Sequence, residues 1–207
     1  MRLFLPEAAA DTLLCLPGDE ATAEAVFARM TQPAALLSIP VDWSHDLSPW
    51  RAERVFHAGE DFTGGAEAFL QRLLGAILPD AEAAIPWPVR QRGIAGYSLA
   101  GLFALWAAMQ TDAFSLCASM SGSLWFDGFM PWAMAQPCHA ERVYLSVGDR
   151  EARTRNLRMA PVEACTREMA AGLAAARVNT AFVLERGGHF DNVPERIARG
   201  LDWLMQA

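Results

Sequence analysis

Ser98 lies in the segment Gly96-Tyr97-Ser98-Leu99-Ala100, which departs from the pattern G-x-S-x-G by one methyl group at the last position. In that pattern, small residues flank a serine in a sharp turn between a strand and a helix, and the turn exposes the hydroxyl at the carboxyl end of a sheet. Ala100 is small enough for the same turn. The spacing therefore predicts a nucleophilic serine, and the backbone N–H of Leu99, at the start of a helix, would stabilise an oxyanion.

A nucleophilic serine needs a base to remove its proton and an acid to orient that base. Two later segments supply them, because His189 follows a predicted strand ending at Leu184, and Asp149 and Glu151 follow the predicted strand before it. The chain order serine, acid, histidine is the one expected for an α/β-hydrolase. We favour Glu151 as the acid since it stands three residues after Gly148, where hydrolase loops of the form G-x-x-D place theirs. Asp149 remains the alternative.

Structural roles are the alternatives for these residues. Ser98 could cap a helix, and His189 could be a solvated loop histidine. The three other histidines, His45, His57 and His139, do not follow predicted strand ends late in the chain, so we do not expect any of them to be the general base.

The elements that must position these residues alternate between strands and helices. Apolar runs bounded by turn residues predict strands over 12–16, 34–41, 92–96, 114–120, 142–147 and 180–184. Helical periodicity predicts helices over 20–30, 66–78, 99–109, 161–177 and 193–205, the second of them stopped by Pro79. This alternation predicts one α/β domain over residues 1–207, with a mostly parallel central sheet and helices on both faces. The segment 93–140 has no basic residue and only Asp112 and Asp127 as acids, which places it at the buried centre of the sheet.

Composition excludes several other chemistries. All 17 basic residues among the 207 are arginine, so a Schiff-base lysine, a pyridoxal-phosphate anchor and a phosphate-loop lysine are absent, and we expect no cofactor. The net charge of −7 disfavours nucleic acid as a partner. No secretory signal or membrane-spanning apolar run is present, so we expect a cytoplasmic protein with no membrane partner. The cysteines are widely spaced and have no histidine at metal-ligand spacing, which predicts reduced thiols and no metal site; they are Cys15, Cys117, Cys138 and Cys165.

Several segments together resemble the putative-esterase (esterase D-like) branch of the α/β-hydrolases, which includes the trilactone siderophore esterases. The segments that carry the resemblance are 96–105, 121–125, 148–151 and 188–189, joined by 42–50 and 64–66, and the resemblance covers roughly residues 35–206. It implies an α/β-hydrolase fold and ester hydrolysis. Members usually carry additional strands before the first one predicted here, so this chain looks shortened at the N-terminus. The second oxyanion donor would then fall on Gly18 or Asp19. Some members use a Ser-His dyad, which leaves the role of Glu151 open.

Two groups of residues could bind the substrate. The segment 124–134 is rich in aromatic residues and methionine, and within it we choose Trp125 as a pocket wall; the alternative is a segment that packs on the core. Arg153 lies among Arg150, Arg155 and Arg158, and such a cluster could bind an anionic substrate or could form a solvated surface.

The sequence thus predicts a serine hydrolase that cleaves a small-molecule carboxylic ester, which could be anionic, through an acyl-enzyme. Ser98 is the nucleophile, His189 the base and Glu151 the acid, and Leu99 with Gly18 provides the oxyanion donors. An acyltransferase or thioesterase would use the same residues with a different acceptor. A non-catalytic binding protein on a hydrolase fold is the third possibility.

Overall fold

The computed structural model describes residues 1–55 and 58–206 of the chain. Within these residues, a central sheet of seven strands organises the fold. The strands of this sheet are β1 Arg2–Phe4, β2 Thr12–Pro17, β3 Ala35–Ile39, β6 Gln91–Tyr97, β7 Leu116–Met120, β8 Arg142–Gly148 and β9 Asn179–Glu185; the short strands β4 Arg51–Ala52 and β5 Phe62–Thr63 form a separate hairpin. The helices are α1 Glu20–Phe27, α2 Trp43–Asp46, α3 Ala66–Arg72, α4 Leu78–Ala83, α5 Leu99–Gln110, α6 Phe129–Ala133, α7 Val162–Ala175 and α8 Val193–Leu204.

The strand order in the sheet is β1-β3-β2-β6-β7-β8-β9, and every neighbouring pair is parallel except β1 with β3. The predicted mostly parallel α/β sheet is therefore confirmed. The prediction that the first strand begins at Thr12 is wrong, because β1 precedes that strand and pairs through Leu3 with Leu37 of β3. Three residues that end shortly before Pro6 are too short a run to show strand periodicity.

Both faces of the sheet are covered. Along β2, Leu13 and Cys15 pack into the core beneath α3, α4, α5 and α7, while Leu14 and Leu16 pack into the core beneath α1 and α8. This alternation follows from the two-residue repeat of a strand, and coverage on both faces explains why every residue of β2 is buried.

The charge-poor middle of the chain forms the centre of the sheet, as predicted. β6 is the fourth of the seven strands, and every residue from Leu99 to Met109 of α5 is buried. A helix that is apolar on all sides can be stable only where protein surrounds it completely. The catalytic serine candidate thus begins the most deeply buried helix of the protein.

The helix predicted to stop at Pro79 instead continues to Ala83, so that prediction was wrong. A π-helical segment, Leu73–Ile77, joins α3 to α4, and the N–H of Leu78 donates to the carbonyl of Leu73. In this wider turn the hydrogen bonds span five residues instead of four, and α4 begins directly after it. Pro79 therefore lies in the first turn of α4, where a proline is tolerated because its missing N–H is not needed.

Within the described residues, no helix is both long enough and apolar enough to cross a membrane. All four cysteines are free thiols, Cys15 and Cys117 within the core and Cys138 and Cys165 half-buried. Burial raises the pKa of the Cys15 thiol to about 12.

Candidate active site

Ser98 connects the last residue of β6 to the first residue of α5 in a backbone conformation that side chains rarely adopt. Its φ is 59° and its ψ is −121°. Strained residues of this kind persist only where surrounding bonds fix them. Here the N–H of Ser98 donates to the carbonyl of Met120 at 3.1 Å, and its carbonyl accepts from the N–H of Ser123 at 3.0 Å. The turn predicted from the sequence is therefore present and is held from both sides.

Gly96 is required by the close approach of this turn to the helix. A Cβ atom at position 96 would lie 2.2 Å from the carbonyl carbon and oxygen of Ala100. Ala100 itself, which replaces the last glycine of the pattern, is accommodated and buried. The methyl group that distinguishes this sequence from G-x-S-x-G thus leaves the turn intact.

His189 and Glu151 line up behind Ser98. The Nε2 atom of His189 lies 3.0 Å from the Oγ atom of Ser98, and its Nδ1 atom lies 2.8 Å from the Oε2 atom of Glu151. Glu151 follows β8 and His189 follows β9, so both loops emerge at the same edge of the parallel sheet as Ser98. The structure brings together the three side chains selected from the sequence.

Asp149, the alternative acid, makes a different contact. Its exposed carboxylate accepts a hydrogen bond at 2.9 Å from the N–H of Gly187, in the loop that carries His189. This bond ties the loop after β8 to the loop after β9. Asp149 therefore supports the position of His189 from outside, whereas Glu151 contacts the imidazole.

Glu151 is a buried carboxylate whose two oxygens accept four hydrogen bonds. Besides His189 on Oε2, its Oε1 atom accepts from the Ser121 hydroxyl at 2.6 Å, the Gly148 N–H at 2.7 Å and Arg196 Nη2 at 2.9 Å. Burial raises the pKa of this carboxyl, but these donors outweigh that effect and lower the pKa from 4.5 to about 2. Glu151 is thus ionised throughout the neutral range.

Arg196, Tyr97 and Ser121 belong to the site although the sequence analysis did not select them. Arg196 is only 1% exposed. The Tyr97 hydroxyl donates to the carbonyl of His189 at 2.6 Å, and burial raises the pKa of Tyr97 to about 12, so it keeps its proton. One signal in the sequence could have identified Arg196, because it shares the buried face of α8 with Gly200 and Leu204 at four-residue spacing.

A cavity of about 920 Å³ opens above Ser98. Ser98, Glu151 and His189 form part of its wall, and Trp125 and Arg153, the two substrate-binding residues predicted from the sequence, also line it. Its size lies near the upper end of the range of about 300–1,000 Å³ found for small-molecule sites. The cavity can therefore hold an ester considerably larger than a simple acetate.

The two predicted oxyanion donors, Leu99 and Gly18, differ in the state of their backbone N–H groups. Leu99 lines the cavity and is the first residue of α5, where a backbone N–H has no partner within the helix. Gly18 also lines the cavity, but its N–H donates to the carbonyl of Ile39 at 2.9 Å. The assignment of Gly18 is therefore corrected, since a donor bound to the neighbouring strand end is not available to an oxyanion. The sequence offered Gly18 or Asp19 as the second donor, and Asp19, which also lines the cavity, is the remaining candidate.

The arginine cluster divides into two pairs. Arg150 contacts Asp191 at 2.9 Å, and Arg158 forms a two-pronged contact with Asp127 at 2.9 and 2.6 Å. Arg153 and Arg155 are exposed, line the cavity and have no carboxylate partner among the described residues. Arg150 and Arg158 are thus paired with carboxylates and Arg153 and Arg155 are not, while Arg150 lines the cavity together with Arg153 and Arg155.

The aromatic segment 124–134 belongs mostly to the core. Phe126 and Phe129 are buried and pack against Trp50, whose Nε1 donates to the carbonyl of Asp127 at 2.8 Å. Within the segment, Trp125 lines the cavity. Both interpretations of the segment therefore apply, each to different residues.

The other histidines do not contribute to the cavity in the part of the chain that the structure describes. His45 lies 2.6 Å from the Thr63 hydroxyl through Nδ1, and the N–H of His139 donates to the carbonyl of Ala108. His57 lies outside the described residues.

Solved structures of other hydrolases share this fold. The siderophore hydrolase EstA from Aspergillus nidulans has a TM-score of 0.73 at 18% identity, and the match covers 94% of this chain and 82% of that one. An IroE-like serine hydrolase from Shewanella oneidensis has a TM-score of 0.73 at 16% identity, with coverages of 98% and 72%. The enterobactin esterase from Shigella flexneri has a TM-score of 0.72 at 20% identity, with coverages of 98% and 54%. These similarities establish an α/β-hydrolase fold.

The comparison with curated protein sequences gave no match. A family model described as "Putative esterase" matches residues 11–191, which include the loops of Ser98, Glu151 and His189. That range is most of the chain. The chain therefore belongs to the putative-esterase family of the α/β-hydrolases and is a carboxylic ester hydrolase.

Proposed function

We propose that this esterase works through a covalent acyl-enzyme on Ser98, with His189 as general base and acid and Glu151 as the group that orients it. The observation that carries the proposal is the unbroken chain of hydrogen bonds from Ser98 Oγ through both ring nitrogens of His189 to Glu151, at 3.0 and 2.8 Å. An ionised carboxylate on Nδ1 keeps the proton there and leaves Nε2 free to accept the serine proton.

The reaction then proceeds in two halves. Ser98 Oγ attacks the carbonyl carbon of the ester while its proton passes to Nε2 of His189. The tetrahedral intermediate breaks its bond to the alcohol oxygen, which takes the proton from His189 and leaves. Water enters, gives a proton to His189 and attacks the acyl carbon, and the returning proton restores the Ser98 hydroxyl as the acid departs.

Two backbone groups support the negative oxygen of each intermediate in this proposal. The N–H of Leu99, at the first position of α5, is one donor. The second comes from the loop after β2, where Asp19 lines the cavity and the N–H of Gly18 is already bonded.

We further propose that the ester is anionic. Arg153 and Arg155 face the cavity with no carboxylate partner among the described residues, while Trp125 adds a rigid apolar wall. The names of two structural neighbours, a siderophore hydrolase and an enterobactin esterase, are compatible with such substrates. Guanidinium groups at the mouth would select a carboxylate or a similar anion by paired hydrogen bonds.

Labelling with a fluorophosphonate probe tests the nucleophile, base and oxyanion donors together. Wild-type protein should be labelled at Ser98 and should hydrolyse p-nitrophenyl butyrate, and Ser98→Ala should lose both properties, with kcat lower by about 10⁴- to 10⁶-fold. Ser44→Ala is the matched control, because Ser44 lines the same cavity and should leave both unchanged.

The other functions give different results. A Ser98→Ala variant that hydrolyses the ester at the wild-type rate would overturn the proposal. Folded wild-type protein that resists the probe would indicate a binding protein on a hydrolase fold. Products formed in the presence of added alcohols or thiols distinguish hydrolysis from acyl transfer, since only a transferase converts most of the acyl-enzyme to the new ester.

A further inference from the structure

Arg196 is a buried cation directly behind the three proposed catalytic residues. It lies in the first turns of α8, and its side chain is 2% exposed. A buried guanidinium costs several kcal/mol of desolvation, and an apolar residue of similar volume often serves stability equally well or better. The other buried residues of α8 carry no charged group; they are Ile197, Ala198, Gly200, Leu201 and Leu204. Packing alone therefore does not explain an arginine at this position.

One end of the guanidinium contacts the acid. Nη2 donates to Glu151 Oε1 at 2.9 Å and to the Ser121 hydroxyl at 2.6 Å, and that hydroxyl itself donates to Glu151 at 2.6 Å. Arg196 thus binds the carboxylate oxygen that does not face His189. The carboxylate cannot rotate away from the imidazole without breaking these bonds.

The other end of the Arg196 guanidinium contacts the loop that carries His189, the proposed base. Nη1 donates to the carbonyl of Gly188 at 3.2 Å and to the hydroxyl of Tyr97 at 2.7 Å. Tyr97 in turn donates to the carbonyl of His189 at 2.6 Å. The carbonyls of Gly188 and His189 are therefore both held by this guanidinium, the first directly and the second through Tyr97.

We propose that Arg196 is a positioning residue that sets the distance between the acid and the histidine loop, with Tyr97 as its extension. This inference depends on the proposed function, because it assigns Arg196 to the same Ser98, His189 and Glu151 machinery. The planar fork of arginine places donors on two separate nitrogens, Nη1 and Nη2, whereas the three donors of a lysine ammonium share one nitrogen, which cannot occupy both positions. The positioning role therefore requires arginine and not only a positive charge.

The test compares Arg196→Lys and Arg196→Met with Arg199→Met, the matched control. Arg199 lies one turn further along α8 and also pairs with a buried carboxylate, that of Glu185 at the end of β9. We would count active sites with the fluorophosphonate probe and measure kcat per labelled site and KM on p-nitrophenyl butyrate. Displacement of catalytic groups by about 1 Å can cost about 100-fold in rate, so kcat per site should fall about 10- to 100-fold in both Arg196 variants. KM should stay within about twofold of wild type, and Arg199→Met should match wild type in both constants.

The possible outcomes separate the two proposals. If wild-type protein is not labelled at Ser98, the proposed function fails. If wild-type protein is labelled and Arg196→Lys has the wild-type kcat per site, with only its yield or stability reduced, the positioning role is overturned. Should neither Arg196 variant fold, Tyr97→Phe decides the question, because it removes the bond to His189 and leaves the contact between Arg196 and Glu151. A lower kcat at constant KM would support the proposal, and unchanged kinetics would refute it.

Discussion

Replacing Glu151 with glutamine removes a charge while it conserves size and shape. The carboxylate accepts four hydrogen bonds, and one donor is the buried cation of Arg196. A glutamine side chain has a single acceptor oxygen, and its NH₂ group would face donors on the other side. Glu151→Gln therefore leaves Arg196 without a counter-charge and leaves some of the donors without an acceptor.

The size of the effect follows from the pKa of this carboxyl. A shift from 4.5 in the unfolded chain to about 2 in the folded protein corresponds to about 3 kcal/mol, at about 1.4 kcal/mol per pKa unit. Because the folded value is the lower one, this stability is fully present above pH 4.5 and is lost as the pH falls towards 2. An unpaired buried charge costs about 3–5 kcal/mol, so Glu151→Gln should be less stable than wild type by about that amount at pH 7. Loss of the orienting charge should also lower kcat by about 10⁴-fold, as in other triads.

Urea unfolding between pH 7 and pH 2.5 measures directly how much the charge of Glu151 contributes to the free energy of unfolding. The difference in unfolding free energy between wild type and Glu151→Gln should be largest at pH 7 and should shrink below pH 4.5, because the unfolded wild-type chain then binds a proton at Glu151 while the folded protein, with a pKa of about 2, still carries the charge. Asp149→Asn is the matched control; Asp149 lies in the same loop but is exposed, and its variant should keep most activity. A difference that stays constant across the pH range would refute the reasoning, as would full activity in Glu151→Gln.

Two further substitutions test the turn and the mouth of the cavity. Ser98→Gly should be more stable than Ser98→Ala by about 1–2 kcal/mol, because glycine relieves the strain at a φ of 59°. In thermal unfolding the glycine variant should have a Tm higher by about 2–8 °C. Equal or reversed Tm values would contradict the strain argument. Arg153→Ala should raise KM for an anionic ester about two- to fivefold, as expected for an exposed ion pair worth up to about 1 kcal/mol, and should leave KM for p-nitrophenyl butyrate unchanged. Arg167→Ala, on α7, is the control for net charge, and equal effects on both substrates would argue against recognition of the anion by Arg153.

The positions of Ser98, Glu151 and His189 could be predicted because each follows a strand that is visible in the sequence. The carboxyl ends of parallel strands share one edge of a sheet, so local patterns alone bring these loops together. The buried centre of the sheet could be predicted equally well, since the segment 93–140 has no basic residue and only two acids. The catalytic roles of the three residues stay predictions until the labelling experiment is done.

Features that depend on a partner far away in the chain could not be predicted in the same way. Gly18 looks like a free backbone donor until β3 places the carbonyl of Ile39 against it. Pro79 looks like a helix end because a π-helical segment leaves no clear mark in hydrophobic periodicity. Arg196 looks like any arginine on a helix surface, and its burial depends on Glu151 and Tyr97, which arrive from other strands.

Ser98 and His189 follow strands that occupy different positions in the sheet, one central and one at an edge. β6 lies between β2 and β7, whereas β9, which carries the loop of His189, forms one edge and pairs with β8 alone among the described strands. Edge elements open locally at a lower free energy than central ones, so amide hydrogens near His189 should exchange with solvent before those near Ser98. If His189 is the base, as proposed, ester hydrolysis should therefore depend on the local stability of this edge strand and should be lost while the fold around Ser98 is still intact.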